Sequence, residues 1–563
     1  MKNKTLLTLA LLVLMILAVA CGGGDEASPE SGRVDATGEL VTNNNSTNQQ
    51  YAPEATAPAT YSYEGGSAEE SADESQAANS RVVVDQVVVE TDVAAEEAAV
   101  GIEMAPVEPS VATAPEQFFA DYGVNPFVMT SVDNLSTFAL DVDTGSYTIA
   151  RNYLTDGVLP PPDAVRVEEF VNYFDHGYSV PQDAAFAVYA DGAPSPFHND
   201  GTHFLRIGIQ GYDVPVEERA DASLTFVIDV SGSMETNNRL EIVKESLQLL
   251  VEQLHATDQV AIVVYSSTPR VILEPTSGAE KSRILNAIFA LRTEGSTNLA
   301  DGLAMGYELA NQSYIPGGIN RVILASDGVA NTGTTSQQTI SSWLRGYADA
   351  GIQLTTMGVG MGSYNDVMME QLADDGDGNY FYIDSVAEAE DHFVDNLMST
   401  LEVIAIDAKV QVEFDPNVVA QYRLIGYENR AIADQDFRND SVDAGEIGAG
   451  HTAVAIYAVQ FVPGTEGRIA TVSLRWEDPD SRQVQEIAGD FHTWDMADSF
   501  DEAPLHFQLA VVVSQFAELL RQSYWTDSLS FDDLRIRADR LATQIGGEEV
   551  VELAQLVRNA TGR

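Results

Sequence analysis

From Ser223 to Leu401, apolar and polar positions alternate between two rhythms. Short, nearly continuous runs of β-prone residues predict buried strands at 223–230, 259–267, 270–274, 320–326, 352–360 and 379–383. Between them, apolar residues recur at the spacing of one helix face. That spacing predicts helices at 239–254, 280–292, 298–314, 336–350, 364–374 and 386–401. The first helix carries Leu240, Val243, Leu247, Leu250, Val251 and Leu254 in one stripe, the face that packs on a sheet. Strand and helix alternating through short connections mark an α/β fold with a doubly wound, mostly parallel sheet.

Outside this segment the rhythm is strict alternation. Upstream, Phe138-Ala-Leu-Asp-Val-Asp143, Ala185 to Ala190 and Thr202 to Val214 read as strands, and Arg166 to Phe174 as a helix. Downstream, Lys409 to Phe414, Ala453 to Phe461 and Arg468 to Trp476 are half-buried antiparallel strands of a β-sandwich. Helices return after 503. Leu505 to Leu520 is apolar over a wide arc, and the last helix carries Val550, Val551, Leu553, Leu556 and Val557. The chain thus divides into a β-rich region at 116–222, the α/β domain at 223–401, a β-sandwich region at 402–502 and C-terminal helices at 503–563. Each β region is short of strands for a sandwich of its own. This predicts that the two pair, with the α/β domain inserted between them; two separate small domains are the other arrangement.

Composition and charge bear on partners. The chain has 563 residues, 45% of them apolar, enough for several domains with cores. Its 86 acids against 29 bases give a formal net charge of −57. Such a surface repels phosphate backbones and argues against nucleic-acid binding. It keeps the chain soluble and favours divalent cations and basic partners.

The single cysteine, Cys21, excludes an intrachain disulfide. It follows a charged start at Lys2 and Lys4 and an apolar run from Thr5 to Ala20. That is the pattern of a secretory signal, and the run is short for a membrane span. Cys21-Gly-Gly-Gly resembles a bacterial lipoprotein signal, with Ala18 where such signals usually carry leucine. The resemblance implies a signal peptide at 1–20, lipidation of Cys21 and an extracytoplasmic chain held to the membrane by that lipid. An uncleaved anchor would leave the remainder on the same side. Residues 21–115 are rich in Gly, Ser, Ala, Asn, Glu and Pro and bury too little apolar surface to fold. They read as a disordered acidic tether, with Val82-Val-Val and Val87-Val-Val as sticky patches within it.

Candidate chemistry gathers at the end of the first strand of the α/β segment. Leu224-Thr-Phe-Val-Ile-Asp-Val-Ser-Gly-Ser-Met234 delivers Asp229, Ser231 and Ser233 to the C-terminal edge of a sheet, where open α/β folds bind ligands. Gly295-Ser-Thr-Asn-Leu-Ala-Asp-Gly302 offers Thr297 to the same rim, and Leu324-Ala-Ser-Asp-Gly328 offers Asp327. These are oxygen donors of the kind that suit Mg²⁺. Gly232 and Gly328 allow tight turns around an ion. Asn298 and Asp301 lie beside the site, placed to cap and open the next helix.

This segment resembles a von Willebrand factor type A domain, and the five positions resemble its metal-ion-dependent adhesion site. The resemblance implies that Ser231, Ser233 and often Thr297 coordinate the metal directly, while Asp229 and Asp327 act largely through water. A carboxylate of a partner then completes the coordination. The ion would be Mg²⁺, with Mn²⁺ or Ca²⁺ as alternatives. Ser136-Thr-Phe-Ala-Leu-Asp-Val-Asp-Thr-Gly-Ser-Tyr147, Pro160 to Phe174 and residues 403–563 resemble bacterial YfbK-type proteins, which are secreted or lipid-anchored. That family's role is poorly defined, so this likeness bears on fold more than on function.

Two motifs point elsewhere. Asp143-Thr-Gly-Ser146 resembles an aspartic-protease loop, but that chemistry needs a second facing aspartate and the chain has one Asp-Thr-Gly. A strand followed by a turn is the alternative for these residues. Asp141 and Asp143 also offer a weak Ca²⁺ site, with a solvated turn as the default. Asp375-Gly-Asp-Gly-Asn379 looks like the start of an EF-hand loop, but Val386 stands where its glutamate belongs, so a tight turn is predicted. There is no His-Glu-x-x-His and no Gly-x-Ser-x-Gly. The functional expectation is a non-enzymatic, metal-dependent binding protein of the cell envelope whose partner is a protein or matrix ligand. A structural scaffold whose metal only stabilises the fold comes second, and a hydrolase at Asp143 third.

Overall fold

The computed structural model describes residues 38–39, 119–140, 142–328, 337–360, 365–479 and 481–561. The signal peptide, Cys21, both valine triplets and Asp141 lie outside the described residues. Of the predicted tether only Gly38–Glu39 is described, as a two-residue strand paired with Tyr189 and Ala190.

The apolar runs of the α/β segment form six strands: β1 (Ala222–Asp229), β2 (Gln259–Tyr265), β3 (Arg270–Ser277), β4 (Ile319–Ser326), β5 (Gln353–Val359) and β6 (Tyr380–Ile383). They lie in the order β6-β5-β4-β1-β2-β3, and only the β2–β3 pair is antiparallel. Every residue of β1 and β4 is buried, as a strand covered on both faces requires. Helices α1 (Arg239–Glu252) and α2 (Lys281–Phe289) cover one face with the 386–401 segment. Helices α3 (Leu299–Gln312), α4 (Gln337–Ala348) and α5 (Asp366–Asp374) cover the other. The strand order reverses at β1, between β4 and β2. The crevice outside the carboxyl ends of β1 and β4 is therefore the topological switch point of the sheet.

The predicted 386–401 helix is broken. Val386–Glu390 and Leu397–Leu401 are α-helical, and Asp391–Asp395 widens to a π-turn. The wider turn lets consecutive rings, His392 and Phe393, both pack on Phe381.

The α/β domain is inserted in an antiparallel body built from both flanks. One sheet runs Phe186–Pro194, Thr202–Gly211, Thr452–Phe461, Val419–Ile425 and Val128–Met129. In the other, Val403–Phe414 pairs on one side with Gly445–Gly448 and Leu135–Ala139, and on the other with Arg468–Glu477, which is followed by Val484–His492. Ile207 and Tyr457 of the first sheet meet Val410 and Val472 of the second in one core. The opposite face of the first sheet, with Phe204, Val454 and Ile456, is covered by Leu505–Leu520 and by the helices Phe531–Gln544 and Glu548–Ala560.

Asp143 is not followed by a mere turn. The helix Gly145–Thr155 starts there, and Tyr147, Ile149, Ala150 and Leu154 are buried. Gly145 meets the ring of Tyr380 so closely that a Cβ would lie 2.6 Å from it. Three arginines of the flanks hold the α/β domain. Arg151 is 2.7 Å from Asp384 and 2.6 Å from Glu388. Arg166 pairs with Glu169 and Asp366 and is 3.6 Å from Glu370. Arg430 reaches Glu370 at 3.0 Å and Asp374 at 3.1 Å.

Candidate metal centre at the carboxyl edge of the sheet

β1 ends on Asp229, which is fully buried and directs its carboxylate across the switch point. Its Oδ1 accepts from the Ser231 amide at 2.8 Å, and its Oδ2 from the Ser326 hydroxyl at 3.1 Å. The chain then turns through Gly232–Asn238, where the hydroxyls of Ser231 and Ser233 lie 3.0 Å apart. Ser231 stands at the N-cap position of this turn, yet its side chain makes no cap. The hydroxyl is thus not consumed by the helix start.

The other two positions arrive on neighbouring loops. Thr297 is buried in the loop before α3. That loop is pinned to the first by Gly232 N donating to Gly295 O at 3.3 Å and Glu294 N to Val230 O at 2.6 Å. Gly295 sits at φ +67°, where a Cβ would lie 2.7 Å from Ser267 Oγ. Asp327 follows β4 and is fully buried. Gly328, next in the chain, takes φ +74°, a conformation glycine adopts freely. Gly232 needs no such conformation, and a Cβ there would meet Gly295 O at an ordinary 3.7 Å, so the turn at this position does not depend on glycine. All five oxygen-bearing residues named from the sequence therefore border one rim.

Three neighbours escaped the sequence reading. Arg239, the first residue of α1, is buried and its Nη1 reaches Asp327 Oδ2 at 2.6 Å. The signal was present: a cation in the first turn opposes the positive end of the helix dipole, so it calls for a partner. Ser326 holds Asp229 and also accepts from Gly328 N at 3.1 Å. Tyr265 closes the floor between β1 and α3, packed against Gly302. The expected cap at Asn298 takes another form. Its amide donates to Asp301 Oδ2 at 2.7 Å and makes no backbone cap, while its Oδ1 is buried without a hydrogen-bond partner.

Charge sets what the rim can hold. Burial, with the Asp327 charge adding to it, pushes the Asp229 carboxyl up to about 6, against hydrogen bonds from Ser231 and Ser326. Two carboxylates face one guanidinium, which leaves one negative charge. A divalent cation among hydroxyls and carboxylates would turn that to one positive charge. The donors are all hard oxygens, as Mg²⁺, Mn²⁺ or Ca²⁺ require.

The aspartic-protease resemblance of Asp143 has a structural counterpart. Its Oδ1 accepts from the Tyr380 amide at 3.2 Å, and its Oδ2 lies 3.4 Å from Arg430. This carboxylate ties the N-terminal segment to β6.

An open sheet with Asp-x-Ser-x-Ser at the switch point, a threonine on the next loop and an aspartate after the neighbouring strand defines a von Willebrand factor type A domain. The family model of that name matches residues 223–396. A model described as uncharacterized protein YfbK, C-terminal, matches 399–562, and one described as von Willebrand factor matches 113–206. The uncharacterized protein YfbK of Escherichia coli (strain K12) is 36% identical over 481 residues, 80% of this chain and 81% of that protein. The chain belongs to the YfbK family. It is also similar to the uncharacterized protein sll0103 of Synechocystis, 24% identical over 50% of this chain and 67% of that one. Among solved structures, a von Willebrand factor type A protein from Catenulispora acidiphila is 15% identical, with a TM-score of 0.40, over 68% of this chain and 91% of that chain. The type A match suggests a protein-interaction role, and neither it nor the YfbK match indicates an enzymatic family.

Proposed function

We propose that this chain is a cell-envelope lipoprotein that binds a protein or matrix ligand through a divalent metal, with the partner's Asp or Glu completing the coordination. Ser231, Ser233 and Thr297 would hold the ion directly, and Asp229 and Asp327 through water. The ion supplies a positive, electrophilic point at the rim. The observation that carries this reading is the charge of the site. With Asp327 matched by Arg239, one divalent cation leaves a net positive charge, which an incoming carboxylate neutralises. Attachment through lipid at Cys21 rests on the N-terminal sequence pattern and would keep the binding face outside the cytoplasm.

The Arg239–Asp327 pair also favours a second reading, a scaffold whose rim needs no ion for a partner to bind. Calorimetric titration of the full chain in detergent with Mg²⁺ and Mn²⁺ separates the two. Binding by the unaltered chain and none by Asp229→Ala/Ser231→Ala supports metal-dependent capture. No binding by a folded, unaltered chain removes it and leaves the scaffold.

A further inference from the structure

We infer that Asp377, Asp443 and Glu446 form a calcium site at the seam between the α/β domain and the β-sandwich, apart from the Asp229 centre. One carboxylate oxygen of each lies within 4.8 Å of the others. Three elements supply them. Asp377 stands in the turn between α5 and β6 at φ +46°. Asp443 precedes the strand Gly445–Gly448, and Glu446 lies on it. The second observation is Glu446 itself. It is 6% exposed, and its Oε1 has no hydrogen-bond partner among the described residues. A buried carboxylate oxygen without a donor is costly, and a cation relieves it.

The surroundings deepen the negative charge. Asp374, Asp375 and Asp407 bear on the same groups, and burial with mutual repulsion pushes Asp377 up to about 7. The cations nearby are committed elsewhere or exposed. Arg345 lies on the rim, 2.9 Å from Asp375 and 3.5 Å from Asp443. Arg482 is 3.0 Å from Glu477, and Lys409 donates to Asn439 O at 2.9 Å. The buried Arg321 also faces Glu446, but its terminal nitrogens donate to Thr355, Gln353 and Leu401 O, while its Nε has no hydrogen-bond partner among the described residues.

The backbone holds the ligands in place. Gly378 lies so close to Leu354 that a Cβ would fall 1.9 Å from its carbonyl oxygen, which fixes the turn carrying Asp377. Asp407 accepts from the Ala444 amide at 3.0 Å, which fixes the approach to Glu446. Carboxylates converging from separate elements, with neither His nor Cys among them, suit the larger and more flexible coordination of Ca²⁺ over the strict octahedron of Mg²⁺. The Asp-Gly-Asp-Gly-Asn turn is thus no EF-hand. It is the tight turn its sequence predicts, and the remaining ligands come from the sandwich. An ion here would clamp the two bodies.

The test is Ca²⁺ titration of the full chain carrying Asp229→Ala/Ser231→Ala, so that the first centre contributes nothing and its failure is scored separately. One Ca²⁺ per chain is the expected result, lost on adding Asp377→Asn or Glu446→Gln. Ca²⁺ should raise the melting temperature only while the three acids are intact. Asp443→Asn, on the exposed edge, disturbs folding least and should weaken binding by more than about tenfold, the loss seen when even a partner behind a metal ligand is removed. Undiminished Ca²⁺ binding by all three variants overturns the assignment. So does absence of binding in the folded parent, and a parent stabilised by acidification alone would identify a shared proton in place of the metal.

Discussion

Arg239 is held between opposed demands. Its place at the head of α1 is unfavourable for a cation, and Asp327, with the Ser233 carbonyl beside it, offsets the cost of burying it. Arg239→Ala takes the guanidinium away from that buried carboxylate, which should cost about 3–5 kcal/mol in urea unfolding. If an ion occupies the rim, Mg²⁺ should restore part of the loss. Asp229 carries a pH signature of opposite sense to a salt-bridged acid. Its pKa rises from 3.8 unfolded to about 6 folded, so between those values the folded state keeps a proton that the unfolded chain has lost. Stability therefore falls as pH rises through this window, and a penalty of about 3 kcal/mol is complete above it. In chelator, Asp229→Asn should raise the urea midpoint at pH 7.5 and leave it unchanged at pH 4. The placement of the five residues at the carboxyl edge of the sheet was legible because each sits in a short local pattern at the end of a strand or the start of a helix. Arg239 was not, because its partner lies 88 residues along the chain.

Elements of the α/β domain could be read because their apolar spacing matches one face or two. The helix Gly145–Thr155 could not. It is buried around most of its circumference, so no polar face marks a helical period, and Gly145, Thr148 and Ile149 favour other structure. The acids at the seam were hidden for a related reason: Asp377 and Glu446 come from different bodies, and neither has a neighbour in sequence that points to the other. How firmly those bodies are joined rests on arginines such as Arg166, 4% exposed between Glu169 and Asp366. Arg166→Ala removes the cation from between two buried carboxylates, leaving Glu169 the Ser146 amide and Asp366 the Tyr380 hydroxyl, and should cost about 3–5 kcal/mol. In scanning calorimetry the α/β domain should then melt apart from the sandwich, as two transitions.

For the whole molecule, attachment and assembly follow from the two ends of the design. If Cys21 carries the lipid, Cys21→Ser should move the chain from the detergent phase to the aqueous phase on Triton X-114 partition. Unchanged partition would argue for the uncleaved anchor. The interleaved sandwich has a further consequence, in the order in which the molecule can be made. Thr137 and Gln411, hydrogen-bonded on adjacent strands, are 274 residues apart. A chain emerging N-terminus first presents Leu135–Ala139 as an unpaired edge until the entire insert has followed it. The insert's ends are close: the Leu401 carbonyl meets Arg321, which pairs with Leu224 near the domain's start. Once folded, the α/β domain replaces a long floppy loop with a short rigid one and removes most of the entropic cost of closure. The sandwich then waits on its guest, so a substitution that slows folding around Asp229 would lower the yield of the entire chain before any partner is met.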